Sequence, residues 1–161
     1  MEPRIARAKQ ELRDALATLK PQESFNIIAF YGKTRAFQKK LVPANAQTVA
    51  QGNQFITSIQ LNKGTNLEKA LARALSMKDV NVVVAITDGV PTYGETDFAK
   101  LARRVRALNV SQARIFTVGL VGKNPDGSDN SFEASRLLQQ IAQESGGVFR
   151  LVTLGQEKPS D

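Results

Sequence analysis

The chain has 161 residues, of which 42% are hydrophobic and 23% are charged, so a single globular domain with a sizeable core is predicted. It contains no cysteine and no histidine, which excludes disulfides, thiol chemistry and every zinc site or catalytic triad that needs these side chains. No apolar run approaches the roughly 20 residues that span a bilayer.

The formal net charge of +7 raises the possibility of nucleic-acid binding. The basic residues are spread along the chain, and the two local clusters, at 39–40 and 103–106, are not interleaved with aromatic residues. This distribution favours a solvated basic face. A basic nucleic-acid-binding domain remains an alternative, and a steep salt dependence of duplex binding would be its sign.

Helical and extended patterns alternate along the chain, and Gly146-Gly147 is predicted to close the last helix. The strands are near-continuous apolar runs, as in parallel sheets covered by helices on both faces. We therefore predict an α/β fold, a three-layer, doubly wound, mostly parallel sheet, in one domain at 1–155 followed by a flexible tail at 156–161. In chain order, the predicted elements are a helix at 4–19, strands at 24–31 and 34–38, helices at 46–59 and 66–77, a strand at 81–87, a helix at 95–108, a strand at 113–120, a helix at 131–145 and a strand at 148–154.

Polar side chains follow the strand at 81–87 and precede the helix at 66–77. In such sheets, ligands bind outside the carboxyl ends of the strands. There, the hydroxyl of Thr65 and the carboxylate of Asp88 could share a Mg²⁺ ion. Each residue also has a structural interpretation, because Thr65 to Glu68 fits a capping box and Asp88-Gly89 is a common turn pair.

The loop at 124–130 is rich in oxygen ligands that could hold calcium. It lacks the spacing of an EF-hand and the terminal glutamate of that motif. A plain turn is therefore the prediction for this loop.

Two stretches, GTNLEKAL and VVVAITDGVPT, resemble the second and third metal-site motifs of the von Willebrand factor type A domain. The stretches ARIFTVGLVG and LLQQIAQESGGVFRLV are similar to later strand-and-helix pairs of that family, and the resemblance covers residues 5–154. It implies a Rossmann-like fold with a metal-ion-dependent adhesion site. In such a site, Thr65 and Asp88 would help to hold Mg²⁺, Gly64 and Gly89 would allow close approach, and an acidic side chain of a protein partner would complete the coordination.

The family's first motif, Asp-x-Ser-x-Ser, is absent from this chain, as is the central strand that carries it. Three of the family's five metal-binding side chains are therefore missing, so Mg²⁺ binding by this chain is expected to be weak or absent. In the family, that strand lies between the strands that match 24–31 and 81–87. Without it, these strands must pair with each other, stay uncovered or borrow a strand.

One hypothesis is that Met1 is an internal methionine of a longer protein, because a methionine often follows the missing motif. The rival hypothesis is a short chain that closes the gap or accepts a partner strand.

The resemblance predicts a non-catalytic protein-interaction module. Its partner is expected either to offer an acidic side chain at the metal rim or to add a strand at an exposed sheet edge. The alternative is a receiver-like domain in which Asp88 accepts a phosphoryl group. The chain lacks a phosphate-cradling glycine-rich loop and an acidic pair at an earlier strand end, which counts against that alternative.

Overall fold

The computed structural model describes residues 2–60, 62–122 and 131–154, and within these residues helices and strands alternate along the chain. The predicted loop at 124–130 and the predicted tail at 156–161 lie outside the described residues. The elements are α1 (Glu2–Ala17), β1 (Ser24–Phe25), β2 (Ile28–Phe30), β3 (Thr34–Ala36), β4 (Val42–Pro43), α2 (Ala46–Ser58), α3 (Leu67–Leu75), β5 (Val82–Thr87), α4 (Phe98–Leu108), β6 (Arg114–Val121), α5 (Ser131–Ser145) and β7 (Phe149–Thr153).

A parallel sheet with strand order β5-β6-β7 forms one half of the fold. The strands are apolar runs, and the helices α3, α4 and α5 cover one face of the sheet. The buried core between them includes Leu71, Leu101, Ile115 and Leu138. We call β5–β7 with α3–α5 the parallel half. Its alternation of strand and helix confirms the predicted α/β class.

The remaining elements, α1, α2 and β1–β4, form what we call the N-terminal half. Their core is a separate cluster of buried side chains, contributed by both helices and by the short strands. Its members are Leu16, Phe25, Ile27, Ala44 and Ile56. Helix α1 also reaches the parallel sheet, where Ala8 packs against the cluster that contains Val118 and Leu120.

The predicted strand at 24–31 is interrupted, which corrects the prediction of one continuous parallel strand. The amide oxygen of Asn26 accepts hydrogen bonds from the backbone N–H groups of Ile27 and Gln38, and its amide nitrogen donates to the Gln38 carbonyl. These bonds replace a strand ladder at this point. As a result, β1 pairs with β4 and β2 pairs with β3, both antiparallel.

Among the described residues, β2 and β5 form no strand pair with each other. Of the three outcomes expected at this gap, the first, pairing of the two strands with each other, is therefore not found among the described residues. Both strands nevertheless pack under α3, where Phe30 of β2 and Val83 of β5 contact the same core.

A local contact explains one feature that sequence patterns describe poorly, a glycine inside a helix. Gly52 lies in the middle of α2, and a Cβ atom there would be 3.1 Å from the ring of Phe25. A glycine at this position therefore allows close packing of the helix on β1 rather than weakening the helix.

In the part of the chain that the structure describes, no helix is both long and apolar enough to cross a membrane.

Candidate functional site at the carboxyl ends of the strands

Three segments meet at one end of the fold, which we call the rim. They are the loop at 62–66, the loop at 88–97 after β5, and the first turn of α1. The first of them is tied to the end of β2: the Gly32 N–H donates to the Lys63 carbonyl at 3.2 Å, and the Asn66 N–H donates to the Tyr31 carbonyl at 2.8 Å. The end of β2 therefore lies at the rim.

Thr65 joins the two loops of the rim through its backbone. Its carbonyl accepts hydrogen bonds from the N–H groups of Thr92 and Tyr93 at 2.9 and 3.0 Å, and its N–H donates to the Thr92 hydroxyl at 2.8 Å. Since the loop at 88–97 follows β5 directly, β2 and β5 both end at the rim.

The capping-box interpretation of Thr65 is wrong. The residue that caps α3 is Asn66, whose side-chain oxygen accepts from the Lys69 N–H at 3.0 Å. Glu68, which a capping box would turn back towards the cap, points instead to Arg104 and Glu95. An asparagine is as good an N-cap as a threonine, and its use here moves the helix start one residue along.

Asp88 is the first residue after β5, as predicted, and its side chain is 37% exposed. The side chain pairs with Arg4 of α1: a guanidinium nitrogen lies 3.5 Å from a carboxylate oxygen of Asp88. The Arg4 guanidinium also donates to the backbone carbonyl of Gly122, just after β6. The charge of Asp88 is thus balanced by a cation within the chain.

The residues of the rim do not fit a magnesium site. The Asp88 carboxylate faces a guanidinium, and the backbone hydrogen bonds of Thr65 lead to Thr92 and Tyr93 rather than to Asp88. Among the described residues, no group of three or more Asp, Glu, His or Cys side chains could hold a metal ion. Mg²⁺ requires several oxygen ligands in near-octahedral order. The assignment of Thr65 and Asp88 as metal ligands therefore stays a prediction from the sequence.

Tyr93 is a residue of the rim that sequence reasoning missed. Its ring lies over Gly32 and Gly64, so closely that a Cβ atom at Gly64 would be 2.2 Å from it. Gly64 also has a φ of 91°, which a residue with a side chain adopts only with strain. Gly64 therefore allows the approach of an aromatic ring, whereas a Cβ atom at Gly89 would meet open space. Tyr93 remains 53% exposed beside Thr65.

A cluster of charges fixes the far side of the rim. Arg104 of α4 pairs with Glu68 at 2.8 Å and with Glu95 at 3.3 Å, and Glu68 also accepts the Glu95 N–H. Partial burial by itself would raise the pKa of Glu68, but the hydrogen bonds from Arg104 and from the Glu95 backbone together lower this pKa below its usual value. The loop at 88–97 is thereby held against α3 and α4.

We expect this cluster to lose its stabilising effect in acid. Because the folded-state pKa of Glu68 is lowered, its contribution is complete above the unfolded pKa of about 4.3 and is lost as the pH falls through the folded value. Glu68→Gln should therefore reduce the melting temperature slightly at pH 7 and should not reduce it once Glu68 is protonated. Thermal unfolding from pH 3 to pH 7 measures this. An equal loss at all pH values would contradict the ionic explanation.

Comparison with known proteins places these features in a family. Residues 4–151 match the von Willebrand factor type A domain. The chain belongs to the von Willebrand factor type A family. The resemblance carried by GTNLEKAL and VVVAITDGVPT is thus confirmed over nearly the whole chain.

The relatives of this von Willebrand A domain are much longer proteins. Inter-alpha-trypsin inhibitor heavy chain H4 of Homo sapiens is 28% identical over 161 residues, covering 92% of this chain and 16% of the relative. The bovine protein is 27% identical, covering 94% of this chain and 17% of the relative.

Solved structures show the same fold. A von Willebrand factor type A protein from Catenulispora acidiphila superposes with a TM-score of 0.76 at 21% identity, covering 93% of this chain and 34% of that chain. The pilus adhesin SpaC from Lactobacillus rhamnosus GG gives a TM-score of 0.73 at 13% identity, covering 96% of this chain and 26% of that one. Both superpositions show the α/β fold of this family.

Proposed function

We propose that this domain is a non-catalytic protein-interaction module that binds its partner by adding a strand between β2 and β5. The family match and the likeness to an adhesin support protein interaction over the receiver-like and nucleic-acid-binding alternatives. The observation that carries the mode of binding is that, within the described residues, β2 and β5 both end at the rim and form no strand pair with each other.

The orientation of the two strands suits the addition of one more. Both end at the rim, because the loop at 62–66 is bonded to the end of β2 and, through Thr65, to the loop that follows β5. Helix α3 lies over both strands on one face. We call the proposed position of an added strand, between β2 and β5 and under α3, the slot. A strand in the slot could pair with both edges, and unpaired edges readily recruit other chains.

The chemistry of the slot favours an apolar segment. On the α3 side, Phe30 and Val83 reach the main core, whereas on the other side Val82 and Val84 are 42% and 46% exposed. Strands of parallel sheets are typically apolar on both faces, and the apolar side chains of β5 on each side favour an occupant of the same kind. The occupant that we propose is an extended segment of a partner protein, matched in length to the six residues of β5 and parallel to it.

A peptide that repeats the sequence VVVAIT between flanking lysines provides a direct test. We expect it to slow hydrogen exchange of backbone amides in β2 and β5, measured by NMR, and to raise the melting temperature. The matched control peptide carries proline at the second and fifth of these positions, because proline cannot donate to a strand ladder. Failure of the first peptide to bind, or equal binding of both, would contradict the proposal.

Two exposed valines allow a matched comparison of edges. Val84→Asp places a charge beside the slot, and we expect roughly tenfold weaker peptide binding, since burial of an unpaired charge is costly. Val148→Asp changes a valine that is 63% exposed next to β7, at the opposite edge of the sheet. It should leave binding unchanged. Protection confined to β7, or a larger effect of Val148→Asp, would move the interaction to that edge and overturn the proposed mode.

The second predicted mode, an acidic partner side chain on Mg²⁺ at Thr65 and Asp88, has less support. The rim residues in this chain do not fit the ion, and no step of the proposed interaction depends on it. The exposed ring of Tyr93 leaves the rim available for contacts with a protein partner that do not involve a metal ion.

A further inference from the structure

Arg4 occupies a position where a positive charge is unfavourable for the helix that carries it. It belongs to the first turn of α1, which runs from Glu2 to Ala17. The N-terminal end of a helix has a partial positive charge, so a cation there is destabilising. Its side chain is nevertheless only 14% exposed. Contacts outside α1 must therefore compensate.

Those contacts lie at the ends of two strands of the parallel sheet. One guanidinium nitrogen of Arg4 is 3.5 Å from the Asp88 carboxylate, at the end of β5, and the other donates to the Gly122 carbonyl, at the end of β6. A Cβ atom at Gly122 would lie 3.7 Å from the Arg4 Nε. The planar guanidinium thus bridges a carboxylate and a carbonyl at a rim where the family is expected to hold a divalent cation.

We propose that Arg4 is the resident cation of this rim: it takes the place of a divalent ion beside Asp88 and makes the rim independent of metal. A guanidinium keeps its charge at every pH that a folded protein tolerates, and its fork of donors suits oxygen acceptors. It neutralises the charge of Asp88 across a partly exposed ion pair of 3.5 Å. Through these two contacts, Arg4 also joins the start of α1 to the ends of β5 and β6.

A divalent ion at Asp88 would have to displace this guanidinium. Two like charges cannot share one carboxylate without repulsion, and Mg²⁺ gives up its water reluctantly. The family is expected to hold a divalent ion at this rim, and the residues of this chain do not fit one. The side chain of Arg4 provides the physical reason. This inference does not depend on strand addition in the slot.

Thermal unfolding of the whole chain, with and without 10 mM MgCl₂ at matched ionic strength, tests the proposal. We expect the wild type to show no melting shift with Mg²⁺, and Arg4→Gln to melt several degrees lower than the wild type without metal. Adding Mg²⁺ should recover part of that loss in Arg4→Gln, because Asp88 is then available, and none of it in the Arg4→Gln/Asp88→Asn double variant. Arg103→Gln, on the exposed face of α4, controls for a change of net charge.

Coupling between the two residues gives a second measurement. If they act as a pair, the double variant should lose less than the sum of the two single losses. Mn²⁺ should broaden the NMR signals around Asp88 in Arg4→Gln and leave them unchanged in the wild type. A wild-type melting shift with Mg²⁺ that Asp88→Asn abolishes and Arg4→Gln leaves intact would overturn the proposal. Strictly additive losses would also overturn it.

Discussion

Gly147→Ala is expected to lower the free energy of unfolding by about 3 kcal/mol, at the upper end of the cost of overpacking. A Cβ atom at Gly147 would lie 2.0 Å from the Ile115 carbonyl oxygen and 2.5 Å from its carbonyl carbon. These atoms belong to the backbone of β6, the central strand of the parallel sheet, which cannot move without disturbing β5 and β7. Urea denaturation followed by circular dichroism measures the loss, which corresponds to a melting shift of roughly 10 °C.

The adjacent glycine supplies the matched control. Gly146 ends α5 with a φ of 79°, and its Cβ position has no atom within 4 Å. Gly146→Ala therefore introduces backbone strain alone, with an expected cost of about 1 kcal/mol. If Gly147→Ala costs no more than Gly146→Ala, the close approach between the turn and β6 is not what stabilises this corner.

Ile56→Ala is expected to open the N-terminal half while the parallel half stays closed. Ile56 is fully buried in the cluster formed by α1, α2 and the short strands, so its truncation should cost about 3 kcal/mol. Since β2 and β5 form no strand pair with each other, that loss should be confined mainly to its own half. Native-state hydrogen exchange should show a roughly 100-fold increase in opening for α2 amides and little change for β6 amides.

Leu101→Ala provides the reciprocal variant. Leu101 is fully buried in the core of the parallel half, and its truncation should expose β6 amides and leave α2 amides protected. The reporters are chosen in α2 and β6 because α1 contacts both halves. Equal loss of protection in both halves for either variant would show that the two cores unfold as one unit. A strand bound in the slot should restore such joint unfolding.

Some of the site could be predicted from neighbouring residues and some could not. The end of an apolar run predicts that Asp88 follows a strand, and the structure confirms this position. Its partner was not predicted, because Arg4 lies 84 residues away in sequence and only the packing of α1 on the sheet brings the two together. Tyr93 was missed for the same reason, since its contact with Gly64 depends on the fold of two separate loops.

The sequence by itself determined the alternation of helices and strands, the α/β class and the family, because hydrophobic periodicity and short motifs are local properties. Only the tertiary structure decided that the strand at 24–31 is broken at Asn26. The reason is that the side-chain amide of Asn26 forms hydrogen bonds with the backbone of Gln38, 12 residues further along the chain. Likewise, only the tertiary structure decided what faces Asp88. Local sequence patterns do not show which basic side chain pairs with a given carboxylate. Contacts between residues distant in sequence decide this, and here they bring the Arg4 guanidinium next to the Asp88 carboxylate.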